Sequence, residues 1–258
     1  MMMKSKAFTI TELLVAVGLL AVVLAACGII FNYSIDAQRT AGATAEIMRN
    51  LRVITDQLNA DFAGFMGAPA YFRTEGDPCS RTADSVVFLA TGDFQDANGT
   101  VRGNVARIYY GQSGFINKIC PDPLSNAPDD VRNKILARKQ VIIAPDANNS
   151  TDEYDAISVA EIQNKCLLTP GFYKVAWLDS RPIIDVAGNP NSIKMYLVRG
   201  VDNFTIEYFG TISAGKMVWR WPTGDFTSPA LRFTFTLYDS KGIIKTGKRF
   251  EHIVYIGK

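Results

Sequence analysis

The chain has 258 residues, is 48% hydrophobic, and sets 27 Lys and Arg against 25 Asp and Glu, a formal charge of +2. A chain this close to neutral, with no basic run, has no electrostatic footprint for nucleic acid, so no direct nucleic-acid binding is expected. The length allows one well-buried domain of roughly 200 residues beside a terminal helix.

The first thirty residues organise the rest. Lys4 and Lys6 precede an apolar run from Phe8 to Phe31 in which Glu12 is the one carboxylate. As a helix that run is about 36 Å long, enough to span a hydrocarbon core of about 30 Å with a modest tilt. Lysines on one flank only predict a cytoplasmic N-terminus, with everything beyond about residue 32 across the membrane. A carboxylate at the centre of such a span costs on the order of 2.5–3.5 kcal/mol, so Glu12 implies a partner.

The pattern Lys4-Ser5-Lys6-Ala7-Phe8-Thr9-Ile10-Thr11-Glu12-Leu13-Leu14 resembles the N-terminus of type IV prepilins and type II secretion pseudopilins. The resemblance implies that a prepilin peptidase cuts between Ala7 and Phe8 and that Phe8 becomes N-methylated. Glu12 is then the fifth residue of the mature chain, placed to pair with the N-terminal amine of a neighbouring subunit and to set its axial register. Loss of residues 1–7 removes two lysines and leaves 25 charges of each sign. Two departures stand out: Ala7 occupies the family's usual glycine position, and the proline that bends many major pilins is missing. The competing reading is a lipobox, Leu24-Ala25-Ala26-Cys27, whose lipidated Cys27 would anchor a binding or sensing domain. Against it, the apolar region of a signal peptide rarely holds an acid, and Gly28-Ile29-Ile30-Phe31 continues the span where a polar tether is expected.

Past the span, Ile47, Leu51, Ile54, Leu58, Phe62 and Phe65 recur at intervals of three or four, a stripe that predicts an amphipathic helix face. Arg49, Asn50, Arg52, Asp56, Gln57 and Asp61 fill the other side. No proline interrupts residues 8–67, and Gly64, Gly67 and Pro69 supply stop signals. One helix of more than fifty residues is expected.

From residue 68 onward strand periodicity takes over. The expected strands are Ser85–Thr91, Val105–Gly111, Gln140–Ala144, Ala156–Glu161, Phe172–Leu178, Ser192–Arg199, Phe204–Phe209, Lys216–Trp221, Leu231–Tyr238 and Arg249–Ile256, with a short helix over Val131–Leu136. Clean alternation, as in Leu231, Phe233, Phe235 and Leu237, predicts antiparallel sheets. Met195 through Tyr208 reads as strand, tight turn, strand. Together with Trp219, Trp221 and the C-terminal strands, it is similar to the larger minor pilins of the PilW type and the J-type minor pseudopilins.

The fold class expected is therefore α+β and pilin-like: a long N-terminal helix packed on antiparallel β-sheets. The chain divides into a leader (1–7), a transmembrane or filament-core helix (8–31), its amphipathic continuation (32–67) and an extracytoplasmic β domain (68–258). The resemblance implies a single-pass protein of the bacterial inner membrane that later joins a periplasmic or extracellular filament. Its implied partners are other pilins or pseudopilins, the prepilin peptidase and an inner-membrane assembly platform. Minor subunits of this type prime filament assembly at or near its tip.

Three cysteines, Cys79, Cys120 and Cys166, fall beyond the membrane, where an oxidising compartment favours disulfides. Cys79 and Cys120 adjoin Pro78 and Pro121 and are the favoured pair, worth roughly 4 kcal/mol in the chain-entropy model, although the sequence leaves the connectivity open. Catalytic signatures are missing: the chain has one histidine, His252, and no nucleophile elbow, zinc motif or phosphate loop. No cofactor is expected. Asp146, Asn148, Ser150 and Asp152 space oxygen ligands as a calcium loop does, without its central glycine; Asp93, Asp96 and Asn98 form a weaker set. Asp129-Asp130 and Asp152-Glu153 read as solvated loop charges. Trp177, Trp219 and Trp221, with Tyr109 and Tyr110, read either as core or as an aromatic contact strip.

Overall fold

A computed structural model of the chain describes residues 9–75, 83–96, 98–112, 135–147, 153–156, 158, 161, 196–213, 216–220 and 229–256. The predicted helix is there, α1, Ile10–Ala63, 54 residues long. Its first half is bare: Leu13, Leu14, Leu24, Ile30 and Phe31 are all at least 60% exposed, and the first buried side chain is Ala43. The second half buries the expected stripe. Ile47, Ile54 and Leu58 are fully enclosed, Phe62 nearly so, and Leu51 packs at their margin. Each such side chain stabilises the fold by roughly 2 kcal/mol through apolar burial.

The helix stops four residues earlier than the stop signals predict, because Gly64 is pressed against a strand. A Cβ there would lie 1.9 Å from the Thr91 carbonyl oxygen. The Gly64 carbonyl accepts from the Thr91 amide (2.7 Å) and the Thr91 hydroxyl (3.2 Å), so the helix end is sewn to the sheet.

The chain then enters a strand that sequence periodicity did not suggest, β1, Phe65–Glu75. It pairs with β2 (Ala83–Gln95), which pairs in turn with β3 (Arg102–Gln112) and β4 (Ile135–Ile143), all antiparallel. β4 also takes a two-residue parallel strand, β5 (Tyr154–Asp155), and an antiparallel one, β6 (Tyr196–Arg199). A second antiparallel sheet has the order β10-β9-β7-β8, from β7 (Val201–Ser213), β8 (Lys216–Arg220), β9 (Ala230–Leu237) and β10 (Lys248–Tyr255). The α+β expectation holds, and among the described residues one short parallel pair sits inside otherwise antiparallel sheets.

Three local expectations change. Ile135 and Leu136, read as the end of a short helix, open β4, and residues 131–134 lie outside the described set. The strand described near residue 156 is Tyr154–Asp155; of the expected Ala156–Glu161, only Ala156, Ser158 and Glu161 are described, and they are not in a strand. The expected strand-turn-strand at Met195–Tyr208 is a crossing between sheets. Gly200, at φ +75°, carries the chain from β6 in the first sheet to β7 in the second, and its carbonyl accepts from the Tyr238 amide. A β-carbon at Gly200 would sit 2.7 Å from the Tyr238 carbonyl oxygen, so space and backbone both demand glycine there. The expected strand at Phe172–Leu178 lies outside the described residues.

One core joins the helix to both sheets. Phe62 stacks on Phe88 of β2 at 4.2 Å between ring centroids and meets Phe233 of β9 at 5.5 Å. Leu231, Phe233, Phe235 and Leu237 are fully buried, as their alternation predicts.

Candidate functional site

Glu12 sits in the first turn of α1, and Thr9 is the N-cap with extended backbone (φ −80°, ψ 149°). The two close a capping box, in which cap hydroxyl and N3 carboxylate satisfy each other's orphan amides. The Glu12 amide donates to Thr9 Oγ1 at 3.3 Å, while Glu12 Oε2 accepts from the Thr9 amide at 3.0 Å and the Thr9 hydroxyl at 2.9 Å. The positive end of the helix dipole also favours an anion there. Both contacts fall on Oε2, so Oε1 carries no bond among the described residues. Around it Ile10, Leu13, Leu14 and Val15 are all exposed. The result is a fixed anion with one oxygen open, set in an apolar surface that has no partner among the described residues. Such a group in a membrane or a helix bundle calls for a cationic neighbour.

Ala7 and Phe8 lie outside the described residues. Cys27 is a free, exposed thiol within unbroken helix, about one turn before Phe31. Cys79, Cys120 and Cys166 lie outside the described residues, as do Asn148, Ser150 and Asp152 of the calcium reading. Asp146 is described and occupies a turn after β4. Asp96, from the weaker set, is used within the protein: its carboxylate accepts from the Thr100 hydroxyl (2.7 Å) and the Val101 amide (2.9 Å). Those bonds, Thr100's first, hold its carboxyl below the usual range. Asp129 and Asp130 also fall outside the described set.

The aromatic set does not converge on one surface. Tyr110 points into the main core and its neighbour Tyr109 into a separate cluster on the opposite sheet face. Trp219 is half-buried on the second sheet, edge-on to Phe209, with the Arg232 guanidinium 4.9 Å from its ring centroid; Trp177 and Trp221 lie outside the described residues. His252 Nε2 is 2.9 Å from Asn59 Oδ1, bridging β10 and α1. Burial pushes its pKa down against the pull of Asp56, which fits a packing residue.

A buried polar cluster escaped the sequence reading, which placed Asp61 on the wet side of the helix. Asp61 is 5% exposed. Its carboxylate takes a two-pronged bond from Arg138 of β4, Nε to Oδ2 at 2.6 Å and an Nη to Oδ1 at 2.7 Å. It also accepts from the Tyr110 hydroxyl of β3 and from Gln57 Nε2 at 3.1 Å. Burial and then the Asp61 charge push the Tyr110 hydroxyl well up. Burial alone would lower Arg138, but the Asp61 bonds raise it. The one available signal was position: Asp61 sits between Leu58 and Phe62, at the edge of the apolar stripe.

Compared with known proteins, residues 2–28 match the family model described as the prokaryotic N-terminal methylation motif. Among solved structures, the chain is similar to one from the GspK-GspI-GspJ complex of the type 2 secretion system of enterotoxigenic Escherichia coli. Identity is 11%, the TM-score is 0.38, and the match covers 82% of this chain and 97% of that one. No curated protein sequence matches.

Proposed function

We propose that this chain, which bears the N-terminal methylation motif of type IV pilins and pseudopilins, is a minor subunit that helps initiate or cap assembly of such a filament. The prepilin peptidase cuts between Ala7 and Phe8, and the freed Phe8 amine is methylated. Until extraction, residues 8–31 hold the subunit in the inner membrane, with the β domain on the far side. On assembly, Glu12 pairs with a neighbouring pilin's N-terminal amine and the apolar helix enters the filament core. The protein works by association and not by catalysis.

The observation that carries this reading is the open Glu12 oxygen on a helix surface exposed and apolar from Ile10 to Phe31. The capping box supports it by holding Oε2 and leaving Oε1 for a cation. The test is intact mass and N-terminal sequencing of the protein from native membranes, followed by Glu12→Ala. A chain starting at N-methyl Phe8 is expected, and Glu12→Ala is expected to block incorporation into filaments while the β domain keeps its melting temperature. A chain starting at acylated Cys27 would overturn the proposal, since Glu12 would then be absent from the mature protein.

A further inference from the structure

The two sheets are joined at a point the assembly reading leaves unused. Asp84 stands near the start of β2, on the same face as the core residues Val86, Phe88 and Ala90, and is 3% exposed. Its Oδ2 accepts from the backbone amide of Ile206 on β7 at 2.8 Å, across the gap between the sheets. A buried backbone amide needs an acceptor, and here the acceptor is a carboxylate from the other sheet. We propose that Asp84 is a proton-operated latch between the two sheets, tight when its carboxyl is neutral and looser when it is ionised.

Asp84 is bonded to no cation among the described residues. Its cross-strand partner on β1 is Thr74, which does not titrate, and its neighbours on β2 are apolar or hydroxylic. From β7 the charged group acting on it is Glu207, a second carboxylate. Glu207 is held by Arg232 of β9 at 2.6 Å, so that cation is already engaged. Burial first, and Glu207 in addition, push Asp84 up to about 7 against the opposing pull of the Ile206 amide.

The sign follows from linkage. With the latch closed the carboxyl keeps its proton up to about pH 7; once open to water it behaves as an ordinary aspartate of pKa about 3.9. Acid therefore tightens the junction, with the full effect below about pH 4. Opening becomes easier as pH rises, by up to about tenfold per unit, and levels off above about pH 7.

The test is hydrogen exchange by mass spectrometry on the full chain in nanodiscs from pH 5 to 8.5, corrected for intrinsic exchange, read on peptides covering β2 and β7. Opening at these peptides is expected to rise between pH 5 and 7 and then flatten. In Asp84→Asn, which keeps an acceptor but cannot ionise, the profile is expected to be flat. Glu207→Gln removes the repelling carboxylate and is expected to shift the wild-type plateau to lower pH, which keeps the proposal testable if the Asn variant folds poorly. A wild-type profile without pH dependence, or an Asp84→Asn profile with the same slope, would overturn it.

Discussion

Replacing Arg138 by methionine tests whether the helix is locked to the sheet by charge or by apolar packing. The substitution keeps a long side chain in place but removes both bonds to Asp61, leaving a carboxylate that is 5% exposed with only Tyr110 and Gln57. Breaking one partner of a buried pair costs about 3–5 kcal/mol, because a charge stays buried without compensation. A domain of this size has about 5–15 kcal/mol of stability in all. At about 2–4 °C per kcal/mol, the melting temperature should fall by roughly 6–20 °C. The assay is thermal unfolding of the full chain in detergent, followed by tryptophan fluorescence and near-ultraviolet circular dichroism. The double variant Asp61→Leu, Arg138→Met should recover most of the loss, since well-packed apolar replacement of a buried pair is often neutral or better. A loss below about 1 kcal/mol for Arg138→Met alone would place the pair in the weak class of surface bridges and refute the reasoning.

Gly64→Ala should destabilise by about 1–3 kcal/mol, the range for overpacking, because its methyl group meets the Thr91 carbonyl at 1.9 Å; chemical denaturation will show it. Phe62→Ala removes the ring stacked on Phe88 and should cost about 3–5 kcal/mol in the same measurement. His252 has its pKa lowered by burial, so its contribution is present above the ordinary value of about 6.5 and is lost as pH falls below it. His252→Gln, which can still bond Asn59, should therefore narrow the gap between melting temperatures at pH 7.5 and pH 5; an unchanged gap would contradict this.

The long helix was legible because two signals of different kind agree over it. An apolar run with Glu12 as its one charge reads as a span, and Ile47, Ile54, Leu58 and Phe62 at helical spacing read as a packing face. Strands with strict alternation, such as Leu231 through Leu237, were legible for the same reason. β1 was not, because Gly64, Gly67 and Pro69 read as helix stops and the strand begins inside those signals, at Phe65. The Gly200 crossing was also misread. A glycine between two strand patterns announces a turn, but only long-range pairing decides whether the second strand folds back or joins another sheet. Asp61 and Asp84 were missed on a common ground: an aspartate at the edge of an apolar pattern is usually wet, and its burial depends on partners 77 and 122 residues away in sequence.

The candidate site and the buried carboxylates belong to two parts of the molecule that share only the helix. Between Phe31 and Ala43 lies about 18 Å of helix at 1.5 Å per residue, mostly exposed, and Ala43 is the first buried side chain among the described residues. Coulomb effects between exposed groups fade over a Debye length of about 8 Å at physiological salt, so charges in the β domain do not reach Glu12. Packing does not reach it either, since the core begins at Ala43. The first turn is instead held by its own capping box, Thr9 to Glu12. The sequence thus builds the anionic end to stand without the domain, and uses the Asp61 cluster and the Gly64 seam to fix the domain at the other end of the same rod. A subunit made this way presents two independent surfaces, one apolar with a single acid and one a folded β domain. That separation lets the loss of one be measured while the other stays intact.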